Sequence, residues 1–474
     1  MIFRRLTALL LLFASPAWAD ELPDLGDVSQ STFSPQQERR AGEEVMLEIR
    51  ADRTYLDDPE VTEYLNDLGY RLVANSPDSR RDFEFFVLQD NTLNAFALPG
   101  GYIGMHTGTI LAAQSESELA SVLAHEIAHV TQKHLARILA RSQDSALTSM
   151  AALALALLAA RSNPEFANAA IATAQATSIQ NQLDYTRDHE READRIGLQV
   201  LQKSGFDTRA MQAFFERLQK SGRLYENNAP AYLRTHPLTT ERIADVQNRV
   251  ASLPYRQVPD SLEFRLIRAK VRAMQGNPEL ALEFFEEALK EPSGDTQTAS
   301  RYGLVLALMR ARSYSRAERE MTTLQAAAPP SAIIENLAAE LRSAVGQHAA
   351  AQARYAAALK RFPQHRALAY GYAESLLQNG QSDAAVKLLD NQLQLHPGDH
   401  HLYALQAKSF AAQGKSLLAH KAQAESFARS GNLPAAIEQL QVALKSDDGD
   451  FYQFSIIEAR LKELRARDAE KRKK

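Results

Sequence analysis

Apolar positions along the chain fall into two regimes. Between Ser34 and Val250 helical spacing alternates with short strand-like runs, whereas from about Leu262 onward nearly every segment has helical spacing. Ser34-Pro35 followed by Gln37 predicts an N-cap, a first-position proline and a capping box opening a helix. A second helix is expected over roughly Val61 to Ala74. "DFEFFVLQD" then reads as a strand, and "NAFALPGGYIGMHTG" as two short strands, or a strand and a turn, around Pro99-Gly100-Gly101. Ser115 with Glu118 announces the next helix, whose apolar positions Leu119, Val122, Leu123, Ile127 and Val130 keep helical spacing. The uncharged stretch "SALTSMAALALALLAA" at 145–160 is too short to span a bilayer. It reads as a buried helix, or as a lid or membrane-contacting segment.

The second regime is periodic. Gly346, Gly380 and Gly414 lie 34 residues apart, as do Pro363 and Pro397, while Gly431 lies half a period past Gly414. A 34-residue period of paired helices with small residues at the tight crossings resembles the tetratricopeptide repeat. Gly276 with "NPELALEFFEEALKEP" fits an earlier unit, and Arg301 to Pro329 fits only loosely. The concave face of such an array would dock other polypeptides.

Composition adds a compartment. "MIFRRLTALLLLFASPAWAD" has two arginines, an apolar run and the Ala17-Trp18-Ala19 pattern, so residues 1–19 read as a secretory signal peptide, with an uncleaved anchor as the alternative. Its removal would take two basic and no acidic residues, moving the formal charge from −4 to −6. A mildly acidic chain offers no electrostatic case for nucleic acid. The basic end "AEKRKK" is read as a solvated tail. Cysteine is absent, so no disulfide is needed and any metal site must use His, Asp and Glu. The expected location is the periplasm. The expected organisation is a signal peptide (1–19), a mixed helix-and-sheet domain (20–255), an all-α repeat array (256–466) and a basic tail (467–474).

The chemistry concentrates in "LAHEIAHVTQKHL" at 123–135. Residues four apart share a helix face, so His125 and His129 can present two imidazoles to one ion. His134 is rotated by roughly 140° and 180° from them and reads as a surface or second-layer residue. In His-Glu-x-x-His the glutamate, here Glu126, stands beside the metal to take a proton from water. A third ligand is available in "DYTRDHEREADRIGLQVLQKSGFD", where Glu190 and Asp194 share a face and Glu192 points elsewhere. Two His and one Glu is a common catalytic zinc set, and Asp194 could accept the free N–H of a ligating imidazole.

"HEIAH", "HEREAD" and the upstream "NAFALPGG" resemble the zinc metallopeptidase family that includes the CAAX prenyl protease and the HtpX-type heat-shock protease. With the leader and the repeats, the architecture is similar to the family's periplasmic branch, the β-barrel assembly-enhancing proteases. The resemblance implies an α+β, zincin-like, mostly helical metalloprotease domain with a small sheet, followed by the all-α repeat array. It implies one Zn2+ held by His125, His129 and Glu190 in a gluzincin-like His2Glu site, with Glu126 as general base and Asp194 in support. It also implies that His236, in "LRTHPLTTERIAD", reaches the metal as a fourth ligand and keeps the enzyme latent; otherwise His236 is a turn residue. Arg242 is a candidate oxyanion stabiliser or, equally, a structural ion pair. Asn94, Ala95, Phe96 and Ala97 would form an edge strand that pairs with an extended peptide. The clients and partners so implied are outer-membrane β-barrel precursors, the barrel-assembly machinery and the lipopolysaccharide-transport barrel; peripheral membrane contact is expected where 145–160 is a membrane-contacting segment and not a buried helix. A chaperone-like adaptor, acting through its repeats with the zinc site plugged, is the alternative.

Overall fold

Ser34 opens the described chain as expected. Its backbone N–H donates to Gln37 Oε1 at 2.8 Å, and the Gln37 N–H returns to Ser34 Oγ, closing the capping box on α1 (Pro35–Ala51). The computed structural model describes residues 34–141, 187–223, 231–290 and 294–472; the leader at 1–19 and the uncharged segment at 145–160 lie outside these. Asp58 caps α2 (Pro59–Val73) through the N–H groups of Glu60 and Val61.

Three short strands follow: β1 (Glu84–Leu88), β2 (Ala95–Leu98) and β3 (Tyr102–His106), with a 3-10 turn at Pro99–Gly101 between the last two. Their order is β1-β3-β2, β3 pairing parallel with β1 and antiparallel with β2. β2 is therefore an edge strand among the described residues. It begins one residue later than expected. Asn94 stands outside it, its N–H donating to Thr109 Oγ1 (2.8 Å) and its carbonyl accepting from the His106 N–H (3.0 Å), so its backbone is already committed. Gly104 on β3 leaves room for two rings; a Cβ there would come 2.5 Å from Phe96 and 2.7 Å from Phe86.

After α3 (Thr107–Ala112) comes α4 (Glu116–Thr131), capped by Ser115 and buried along its whole length. An amphipathic surface helix would bury one stripe; this one is the centre of the domain. α5 (His134–Arg141), α6 (Arg187–Lys203), α7 (Arg209–Arg223), the single turn α8 (Ala231–Thr235) and α9 (Thr240–Ala251) complete the domain around it. α6 lies close against α4 because Gly197 has no side chain: a Cβ there would be 3.1 Å from the His125 amide nitrogen. That approach carries Glu190 toward the histidines.

From α10 (Leu262–Met274) and α11 (Pro278–Ala288) onward the chain is a succession of antiparallel helix pairs: α12 (Gly294–Arg310) and α13 (Tyr314–Ala327), α14 (Ala332–Ala344) and α15 (His348–Arg361), α16 (Arg366–Gln378) and α17 (Ser382–Leu395), α18 (His400–Ala412) and α19 (Ser416–Arg429). Gly276, Gly346, Gly380 and Gly414 turn these pairs with positive φ. In the loosely fitting repeat the same turn is made by Arg312, with φ 56°. That repeat is regular in space; only its punctuation is missing from the sequence. One hydrophobic core runs from Leu56 in the first domain to Leu341 in the array, so the early repeats pack into the first domain.

Candidate metal centre

Four side chains from two helices and one loop converge. Each of His125, His129, Glu190 and His236 offers one donor atom, and these atoms lie within 4.8 Å of one another. The two α4 imidazoles meet with Nε2 atoms 3.0 Å apart. From α6, Glu190 places Oε2 3.5 Å from His125 Nε2 and Oε1 3.4 Å from His129 Nε2. His236, just past α8, places Nδ1 3.1 Å from Glu190 Oε1 and 3.4 Å from His125 Nε2. All four are buried.

The surroundings fix which nitrogens face the centre. His125 Nδ1 lies 3.0 Å from Asp194 Oδ1, so its N–H points outward and Nε2 faces in. His129 Nδ1 lies 2.9 Å from Nδ1 of His134, whose Nε2 lies 3.1 Å from Glu192 Oε2. Burial outweighs Glu192 and pushes His134 down to about 4. Neutral, it can donate through Nε2 to Glu192 and accept the His129 Nδ1 proton, again turning Nε2 of His129 inward. His134 is thus a second-layer residue, fully buried, and it stacks on His189 with ring centroids 4.5 Å apart. Glu192, which points away from the centre, orients it through His134.

Charge at the centre indicates what it can hold. Burial opposes a charged His125, but Asp194 and Glu190 outweigh it and push its pKa up to about 10. Burial drives His129 well below its usual value. Glu190 stays ionised despite burial because His236 and Arg242 face it. Three inward nitrogens and a carboxylate, all buried and converging, make a donor set that could hold one metal ion.

Glu126 is fully buried, and among the described residues neither carboxylate oxygen has a hydrogen-bond partner; Oε1 lies 3.6 Å from His236 Nε2. Burial raises its pKa. Arg242, on α9, grips Asp194 with Nε and Nη2 at 2.7 and 2.8 Å, while Nη1 reaches Glu190 Oε2 and the Pro237 carbonyl, both at 2.8 Å. The guanidinium is spent on an ion pair and on the loop carrying His236. Tyr232, absent from the sequence reading, stacks on His236 with centroids 4.7 Å apart, and its N–H donates to the Leu93 carbonyl at 3.2 Å, just ahead of β2. Its only trace in the sequence is an aromatic four residues before the histidine.

The peptidase family M48 model matches residues 59–250, and tetratricopeptide-repeat models match 251–296 and 344–409. The β-barrel assembly-enhancing protease of Escherichia coli K12 is 36% identical over 461 residues, covering 95% of this chain and 93% of that protein. The chain belongs to the β-barrel assembly-enhancing proteases. A Yersinia pestis member of this family is 35% identical over 427 residues, covering 90% and 87%. A more distant relative, the mitochondrial metalloendopeptidase OMA1 of Schizosaccharomyces pombe, is 30% identical over 216 residues, 45% of this chain and 60% of that protein. As a family member the chain is a metallopeptidase carrying tetratricopeptide repeats, with a His, His, Glu group able to bind a metal. Among the described residues no helix is long and apolar enough to cross a membrane.

Proposed function

We propose that the chain is a periplasmic zinc endopeptidase that degrades misassembled outer-membrane proteins and assists their assembly, held latent by His236. The observation that carries this reading is the convergence of a fourth donor, His236 Nδ1, on the His125, His129 and Glu190 set, with its Nε2 turned toward Glu126. Bound zinc would supply Lewis acidity, polarising a peptide carbonyl and making water nucleophilic near neutral pH.

The chain's own residues do the rest. His125, His129 and Glu190 hold the ion, and Asp194 fixes the His125 tautomer. Glu126, with both oxygens unpartnered, takes the proton of the attacking water and returns it to the leaving amine. His236 would supply a fourth donor beside that set and so leave no open position for the water, and its loop would have to move before cleavage. Arg242 positions Asp194 and the Pro237 carbonyl and thereby holds the loop closed. Ala95, Phe96 and Ala97, joined by Leu98, would offer the free edge of β2 to an extended client. The clients proposed are outer-membrane β-barrel precursors, with the barrel-assembly machinery and the lipopolysaccharide-transport barrel as partners.

The test compares rates on an unfolded substrate with zinc present, using Glu126→Gln as the blank. His236→Ala should be clearly faster than the native chain; if it is no faster, the latency reading fails. A native chain and a His236→Ala variant both at the blank rate would favour the second reading, an adaptor with a plugged site, which the filled fourth position also fits.

A further inference from the structure

A recess lies away from the candidate metal centre, where the first domain meets the repeats. Its volume is about 360 Å³. One wall is the turn before α2, with Asp57 and Asp58; the other is built from α14 and α16, with Asn336, Glu340, Tyr370, Glu374 and Ser375. Glu340 and Glu374 are 34 residues apart, so consecutive repeats place a carboxylate at the same position and both face one space.

Four carboxylates line the recess against one ammonium, that of Lys270. That cation is already committed: its Nζ lies 2.7 Å from both Asp58 Oδ2 and Glu60 Oε2. His401 is likewise held, 2.8 Å from Asp57 Oδ1. Glu340 accepts from Asn336 Nδ2 at 2.9 Å, and among the described residues neither Glu340 nor Glu374 makes a direct ion pair, Lys270 acting on Glu340 only at longer range. Partial desolvation at the recess wall and the acidic neighbours Asp58 and Glu374 raise the Glu340 pKa despite Lys270.

An acidic cluster alone would be only a solvated face. Here two further groups lack partners. Among the described residues Ser375, 3% exposed, has no hydrogen bond to its hydroxyl, and Asn336, also 3% exposed, has none to Oδ1 while its Nδ2 is used twice. Buried polar groups are nearly always paired, so a wall with spare acceptors fits a ligand rich in donors. Tyr355 and Tyr370 add aromatic surface beside the carboxylates, which suits a planar or alkyl-stemmed cation.

We propose that this recess binds the side chain of an arginine, or less tightly a lysine, of an extended client polypeptide. Glu340 and Glu374 take the charge, and Ser375 Oγ and Asn336 Oδ1 accept remaining N–H groups. Arginine is preferred because its fork can meet two carboxylates at once. The site is distinct from the metal centre and does not depend on catalysis, so it stands or falls separately from the protease reading.

The test uses the full zinc-loaded chain carrying Glu126→Gln, so that no probe is cut. Saturation-transfer NMR would titrate a Gly/Ser nonapeptide with one central arginine, and the same peptide with citrulline, which keeps the shape and loses the charge. Citrulline should bind at least about tenfold more weakly, the ~1.4 kcal/mol of one charge-assisted interaction. Glu340→Gln with Glu374→Gln should weaken the arginine peptide by a similar factor, whereas Glu283→Gln, an exposed carboxylate outside the recess, should not. Equal binding of both peptides, indifference to the double substitution, or no saturation below about 10 mM would overturn the proposal. So would a calcium ion that displaces the peptide through a site lost in the double variant, since the recess would then be a metal site.

Discussion

Replacing Arg242 with methionine separates two jobs that one guanidinium could do. In the native chain Arg242 is 2% exposed and makes two bonds to Asp194, one to Glu190 and one to the Pro237 carbonyl. Methionine keeps much of the volume and removes every donor. Asp194 is then a buried carboxylate facing only His125, and breaking a buried pair by removing one partner costs about 3–5 kcal/mol. For a domain of this size each kcal/mol moves the midpoint by about 2–4 °C, so the first transition of the zinc-loaded protein should fall by ~6–20 °C. The rate is read in the His236→Ala background at saturating zinc, well below that transition. A positioning residue should leave kcat within about tenfold of the parent. An oxyanion donor, by contrast, should cost about 10²–10³ in kcat. A loss of that size with an unmoved melting curve would refute the ion-pair reasoning.

Four other outcomes follow from the same geometry. Glu126→Gln should abolish hydrolysis while retaining one zinc per chain by metal analysis; loss of the zinc would make Glu126 part of the holding set. Gly197→Leu should wedge α6 from α4, costing roughly 1–3 kcal/mol and weakening zinc retention against a chelator; unchanged retention would mean the helix approach does not position Glu190. Asp194 and Glu190 are held below their ordinary values of 3.8 and 4.5, so the stability they contribute is full above those values and lost as pH falls through the lowered ones. Melting temperature should therefore drop steeply in acid below about pH 4, and less steeply in Arg242→Met. Arg312→Gly should raise stability by about 0.5–1 kcal/mol, the left-handed penalty less glycine's greater unfolded-state entropy; a lower melting temperature would show that the Arg312 side chain earns its place.

The metal set was legible because each part of it is local. Two histidines four apart need only a helix, and Glu190 with Asp194 needs only another. What joins the helices was not legible: nothing near Gly197 announces that it lets α6 lie against His125. Asn94 looked like strand because its neighbours alternate, but Thr109 and His106, twelve and more residues away, take its backbone groups. His134 was assigned to a surface or second layer by rotation alone; the break between α4 and α5 lets its ring turn back to His129. Local sequence does not separate the two roles of Arg242, because its partners lie 48 residues upstream and in the adjoining loop. The repeats were legible wherever glycine makes the turn, and blurred where Arg312 does.

The core shared between Leu56 and Leu341 makes the repeat array a fixed arm rather than a tethered module. The Asn336 amide bonded to Glu60 and the Lys270 ammonium set between Asp58 and Glu60 tie the same two parts with directional bonds. A polypeptide held by the array would then be offered to the rest of the protein from one direction and at one separation. Which stretch of it arrives at the metal centre would be set by the length of free chain beyond the grip, so cleavage positions would be counted in residues from an anchor rather than dictated by local sequence. A severed array would lose that measure, and the remaining domain would lose part of its own interior.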